Sequence, residues 1–354
     1  MDSSASGGAD QGSGPSPRGA IASDVIGRIP DLASVGLGVW LVTFVASVVA
    51  VGFVSGLIWG TGMEFPASWG RPIGLQVDAL VDWMKIHMDW LLDGSSDAVL
   101  QLLVWIEDFL IWLPWPATIL AVALLSWRAS GLALAVFSGT ALLAIGLMGR
   151  LPDNPDSLWA ASMETLALII VSVLISLIIG IPAGILGAQS RWVDNISRPL
   201  LDGAQTMPSF VYLVPALLFF GLGTVPAVVA TVIYAVPPVI RLTNLGIRQV
   251  SPETVEAARS FGATRMQLLA KVQFPMATPT IMAGVNQTTM LALSMVVIAS
   301  LVGAGGLGET VLRALGRQES GNALIGGLAI VTLAIITDRI TQALGKAREE
   351  ALSG

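Results

Sequence analysis

The sequence predicts an all-α fold: a polytopic helical membrane protein with about eight spans. Three observations predict it. Of its 354 residues 54% are hydrophobic and only 12% are charged, roughly half the charge of a water-soluble domain, which carries about 25%. Apolar runs long enough to cross a bilayer recur along the chain. Between them lie short polar stretches with glycine, proline and helix-capping residues, which punctuate helices.

Each element follows in order. Residues 1–31, with "MDSSASGGADQGSGPSPRGA", are too polar to pack and read as a disordered tail. Their acidic start does not suit a signal peptide, and the apolar run after them is too long for one. No charge interrupts Leu32 to Met63, so 32–63 is a first span. Segment 64–113 mixes acids with Trp83, Trp90, Trp105 and Trp112. In "VDALVDWMKIHMDWLL", Val77, Leu80, Val81, Met84, Met88 and Leu91 share one helical stripe. Two readings fit: an interfacial helix anchored by tryptophan, or an amphipathic helix packed on other spans. Further spans are expected at 114–127, 130–149, 161–190, 205–221, 225–241, 280–303 and 321–344. "GLGTVP" at 221–226 turns the chain between two of them. Residues 346–354 form a second polar tail.

Charge orients the array. With the N-terminus inside, only Arg71, Lys85, Arg150, Arg313 and Arg317 of the 18 lysines and arginines fall outside. The positive-inside rule therefore puts both termini in the cytoplasm and the Trp-rich segment outside.

Composition excludes several function classes. A net charge of −6 argues against nucleic acid. With no cysteine and one histidine, His87, there is no material for disulfides, thiol catalysis or a histidine metal site. Neither metal nor cofactor is expected. Gly303, Gly305 and Gly308 fit the GxGxxG spacing, but no strand precedes them, so a dinucleotide site is rejected. With Gly306 they read instead as a flexible outer loop or gate. "LGKAREE" lacks the remaining residues of a phosphate-binding P-loop, and this chain cannot supply its own ATP hydrolysis.

The longest cytoplasmic connection, 246–279, reads as helix–turn–helix. Ser251, Pro252 and Glu253 make a helix start, Gly262 a left-handed stop, and Thr264 the cap of "RMQLLAKVQF", which is expected to end before Pro275. Within the span 280–303, Asn286, Gln287, Thr288, Thr289, Ser294 and Ser300 interrupt an apolar helix. They serve either interhelical hydrogen bonds or a substrate path. Tyr212 and Tyr234 lie inside spans, whereas most of the tryptophans fall near span ends, where an interfacial belt explains them. Glu164, Asp338 and Arg339 fall near span ends and read as interfacial.

Glu256-Ala257-Ala258, then Gly262, then Val272-Gln273-Phe274-Pro275 resembles the EAA motif of ABC importer permeases, with Val for Ile and Phe for Leu at its close. "RPLLDGAQTMPSFVYLVPALLFFGLG" (198–223), "AVPPVIRLTNLGIRQV" (235–250) and "TIMAGVNQTTMLALSMVVIASLVGAGGLG" (280–308) narrow the likeness to permeases of glycine betaine/proline betaine importers. The resemblance implies a type I ABC importer transmembrane domain over 114–345, with its core at 160–342. It implies a non-catalytic subunit that works with a second copy of itself, two ATPases that hold ATP and Mg, and an extracytoplasmic binding protein, in a bacterial inner membrane. Glu256, Ala257, Ala258, Arg259, Ser260, Phe261, Gly262, Phe274 and Pro275 would then couple the permease to the ATPase. Tyr212, Tyr234, Asn286, Gln287, Thr288 and Ser294 would line the path. The alternatives are a permease for choline, carnitine or a methionine-like solute, and an ion-coupled betaine carrier. The carrier predicts intramembrane charges and no docking loop.

Overall fold

The computed structural model describes residues 37–59, 70–151 and 156–353. The predicted tail 1–31 lies outside them, as do both ends of the first expected span, 32–36 and 60–63. Among the described residues the structure is helical throughout, apart from one isolated bridge between Arg150 and Ser157. The chain divides into two compact units, Met1–Gln76 and Val77–Gly354.

In the first unit lies helix α1 (Leu37–Trp59), with no charged residue. Leu41, Phe44, Val48 and Val51 are all exposed, a surface suited to lipid and not to water. Helix α2 (Gly70–His87) begins in this unit and ends in the next.

The second unit continues with α3 (Asp89–Trp112), α4 (Trp115–Ser130), α5 (Leu132–Met148), α6 (Leu158–Gln189), α7 (Arg191–Thr206), α8 (Leu213–Phe220) and α9 (Thr224–Arg248). After these come α10 (Pro252–Ser260), α11 (Arg265–Leu268), α12 (Phe274–Ser300), α13 (Gly306–Gly316) and α14 (Ser320–Ser353). Among the described residues four helices are long and apolar enough to cross a membrane: α6, α9, the continuous run Arg265–Ser300, and α14 as far as Ala343. They correspond to the expected spans 161–190, 225–241, 280–303 and 321–344. α14 runs on to Ser353, so residues 346–353 of the predicted tail prolong that helix.

One expected span is broken. Over 205–221 the chain makes a 3₁₀ turn, Ser209–Tyr212, and then α8 of only 8 residues, bent 115° from α7. The reason is local. Met207 is held extended before Pro208, which disfavours helix at the preceding residue. Upstream, α7 carries Arg191, Asp194, Arg198 and Asp202, a face that apolar surroundings do not accept. α3 and α4 meet at Pro114 with a bend of 102°, at the expected boundary between segment 64–113 and the span 114–127. The described part of segment 64–113 divides at Met88 between α2 and α3, and α3 buries Leu103 in the main core. That favours the packed reading for α3. α2 buries Val81 alone, leaving Leu80, Trp83 and Ile86 exposed, and Trp83 stacks on His87 at 4.6 Å.

α9 is the centre of the bundle, held between α6 and α12 by small residues. A Cβ on Gly184 of α6 would lie 2.6 Å from Thr243 Cβ and 2.7 Å from the Ile240 carbonyl. On the other side, a Cβ on Gly284 of α12 would approach Val239 Cα to 3.1 Å. Such close backbone approach is how apolar helices associate where lipid removes the hydrophobic drive between them. Val171, Val228 and Met295 from α6, α9 and α12 complete one core cluster with Tyr212 and Leu213.

Candidate coupling site

The connection from α9 to α12 forms the predicted hairpin. Ser251 caps α10, its hydroxyl accepting the Thr254 N–H at 3.4 Å, with Pro252 in the first turn. The helix ends on Gly262 at φ +79°. There the Gly262 N–H donates to the Arg259 carbonyl (2.9 Å) and the Ala263 N–H to the Ala258 carbonyl (3.1 Å). This is a Schellman closure, which satisfies the last carbonyls and needs a left-handed residue after the cap. Thr264 then opens α11 through a reciprocal capping box with Gln267.

The second arm differs from expectation. It does not stop before Pro275. A π turn, Leu269–Gln273, joins α11 to α12 in one unbroken helix, with the Phe274 N–H bonded to the Leu269 carbonyl. Proline has no N–H to give, and here the helix passes through it directly after the π turn, where the regular i→i−4 ladder is already interrupted.

The hairpin is anchored at its base and bare at its tip. Leu268 is buried, while Leu269 and Phe274 pack on Ile247, Ala277 and Ile281. By contrast α10 has no buried residue at all. Glu256, Ala257, Arg259, Ser260, Phe261 and Gly262 are exposed and Ala258 half-buried, and Phe261 reaches 93% exposure. The structure thus gathers seven of the nine predicted coupling residues on one projecting element. Phe274 packs in the anchor, and Pro275 lies half-buried beside it at the start of α12. A cleft of about 510 Å³ lies beneath, lined by Arg259, Arg265 and Gln189 over an apolar floor that includes Ile247 and Leu269.

The predicted path residues separate into three environments. Tyr212 and Tyr234 do meet, ring centroids 5.4 Å apart and edge-on, but Tyr212 is 1% exposed and its hydroxyl donates to the Ala204 carbonyl. That tyrosine is core. Asn286 accepts the Thr341 hydroxyl at 2.6 Å, an interhelical bond between α12 and α14. Thr288 is fully buried. Only Gln287 and Ser294 lie exposed, with Met290 between them at helical spacing, so they share one open face of α12.

The glycine loop after α12 is pinned, not loose. Gly303, Gly305 and Gly306 all have positive φ. The Gly306 N–H donates to Glu164 Oε2 (2.7 Å) and the Leu307 N–H to Thr165 Oγ1 (2.8 Å). A Cβ on Gly308 would fall 2.4 Å from the Val296 carbonyl. Glu164 therefore caps α13 and is not a free interfacial acid.

Sequence reasoning also missed a cluster beside the hairpin. Asp194, 3% exposed, takes Arg198 at 2.7 Å, Arg248 at 3.1 Å and the Asn244 amide at 2.8 Å. Arg248 was visible as a cation upstream of the hairpin. Its carboxylate partner lies on a different helix, and no local signal pairs them.

Long apolar helices packed through small residues, with one bare hairpin among the described residues, define a class: a helical membrane protein. Residues 180–349 match the family described as binding-protein-dependent transport system inner membrane component. The chain is 48% identical over 275 residues (78% of this chain, 75% of the relative) to the glycine betaine/proline betaine transport system permease protein ProW of Escherichia coli (strain K12). It is 47% identical over 283 residues (78% and 96%) to the glycine betaine/carnitine transport permease protein GbuB of Listeria monocytogenes serotype 1/2a (strain 10403S). The inward-facing MetNI methionine ABC transporter aligns over 54% of this chain and 95% of that chain, at 24% identity and a TM-score of 0.48. On its match to ProW and GbuB, the chain belongs to the family of binding-protein-dependent transport system inner membrane components.

Proposed function

We propose that this chain is the permease of an ATP-driven importer for glycine betaine, proline betaine or a similar osmoprotectant. Two copies form the path, two ATPases carrying ATP and Mg dock on the hairpins, and an extracytoplasmic binding protein delivers solute. Both termini are cytoplasmic. ATP closes the ATPase pair, the hairpins move, and the helices alternate between inward- and outward-open arrangements as rigid bodies. The observation that carries this reading is α10: a helix capped at both ends, with no buried residue and an aromatic tip 93% exposed. An unpartnered ordered helix of that kind fits a protein groove better than it fits water. The substrate class rests on the names of the relatives, which include betaine and carnitine permeases. The exposed face of α12 with Gln287 and Ser294 supplies the polar part of the path, facing the second copy.

The test is uptake by proteoliposomes holding the complex purified through a tag on this chain, with binding protein and labelled glycine betaine. Uptake is expected only with ATP inside, and unlabelled proline betaine in excess should compete with it. Uptake driven by a sodium or proton gradient without ATP would show an ion-coupled carrier instead.

A further inference from the structure

We infer that Asp194 is a positioning residue, the buried hub that makes the hairpin, α6, α7 and α9 move as one piece; this rests on the coupling role proposed above. Three helix ends converge on it. α6 finishes at Gln189, Ser190 caps α7 by accepting the Val193 N–H, and Asp194 lies in the first turn of α7. α9 sends two side chains to it. The Asn244 amide donates to one carboxylate oxygen and Arg248 pairs with the other, which also takes Arg198 of α7 itself. The Arg248 guanidinium reaches further, donating to the Gly187 carbonyl of α6 at 2.6 Å. Gly187 leaves no slack, because a Cβ there would lie 2.9 Å from Asn244 Nδ2.

What makes the cluster mechanical is its place in the chain. Arg248 is the last residue of α9, and the hairpin cap Ser251 follows after Gln249 and the buried Val250. Three residues span at most about 10 Å, so the first arm of the hairpin is tethered directly to the Asp194 cluster. The second arm is held by apolar packing of Leu269 and Phe274 against the same end of α6 and α9. Only the first arm depends on charge. The neighbouring pair Arg241–Asp202 is exposed on both sides (44% and 67%), and pairs of that kind contribute little. Asp194 is different: its charge is buried and compensated from three directions, so losing the charge leaves Arg248 without a counter-ion at the point where hairpin motion enters the bundle.

Asp194→Asn keeps the shape and removes the charge. In proteoliposomes with the complete transporter, glycine betaine taken up is measured against phosphate released. The expected result is a complex of unchanged subunit composition whose ATP hydrolysis persists while uptake per ATP falls about five- to tenfold. Asp194→Glu should recover part of the ratio, and Asp202→Asn should leave it unchanged. If Asp194→Asn does not assemble, Arg248→Gln gives the same reading. A wild-type ratio in whichever variant assembles, or an equal fall in Asp202→Asn, overturns the assignment. Absence of ATP-dependent uptake by the wild-type complex would instead defeat the coupling role on which it rests.

Discussion

Gly262→Val is expected to abolish ATP-driven uptake while leaving insertion and thermal stability nearly unchanged. Gly262 stands at φ +79°, where a β-branched residue is a genuine outlier, yet nothing lies within 4 Å of the Cβ that valine would add. The cost is therefore conformational and local, about 1–2 kcal/mol. It falls on the Schellman closure that aims α10, and α10 contributes no buried residue to the bundle. The hairpin should relax by reorienting its tip, moving Phe261 while the spans stay packed. Gly262→Asn is the matched control, because asparagine tolerates the left-handed region. It should retain most uptake. Equal uptake by the valine and wild-type proteins would remove the hairpin corner from the coupling mechanism.

Gly184→Leu should give the largest loss of stability. Its Cβ would meet Thr243 Cβ at 2.6 Å and the Ile240 carbonyl at 2.7 Å, and the second of these is backbone in the middle of α9. No rotamer change relieves a clash with a helix carbonyl. α6 and α9 must separate, which also disturbs α9 against α12. Overpacking of a closed core costs about 1–3 kcal/mol or more, and here it strikes the contact around which the bundle is built. A lower unfolding temperature in detergent and reduced yield of folded protein are the expected readouts. Gly327→Ala on α14, with no atom within 4 Å of the added carbon, should leave both unchanged.

What could be read from the sequence was whatever is encoded locally. The hairpin was legible because Ser251, Pro252, Gly262 and Thr264 each act within a few residues, and each behaves as its chemistry dictates. The four long spans were legible from uninterrupted apolar length. The breaks were harder. Pro208 ends a helix where hydropathy alone suggested continuity, whereas Pro275 ends nothing because it follows a π turn within one continuous helix. Side-chain environments within spans were least legible. Apolar positions look alike in sequence whether they face core, lipid or path, so Tyr212 is core and Asn286 ties α12 to α14. Contacts between distant residues left no trace: Glu164 on Gly306, 142 positions away, and Asn244 on Asp194, 50 positions away. These depend on which helix ends meet, and periodicity carries no information about that.

The most direct test of the account is where the hairpin tip touches. Phe261→Cys places a thiol on a side chain 93% exposed in the isolated chain, and the protein has no other cysteine. Reacted with a photoactivatable cross-linker in membranes containing the complete transporter, it should join to the ATPase subunit, with a yield that changes between the nucleotide-free and ATP-bound states. Cross-links confined to the extracytoplasmic binding protein, or to lipid alone, would contradict both the orientation and the coupling role.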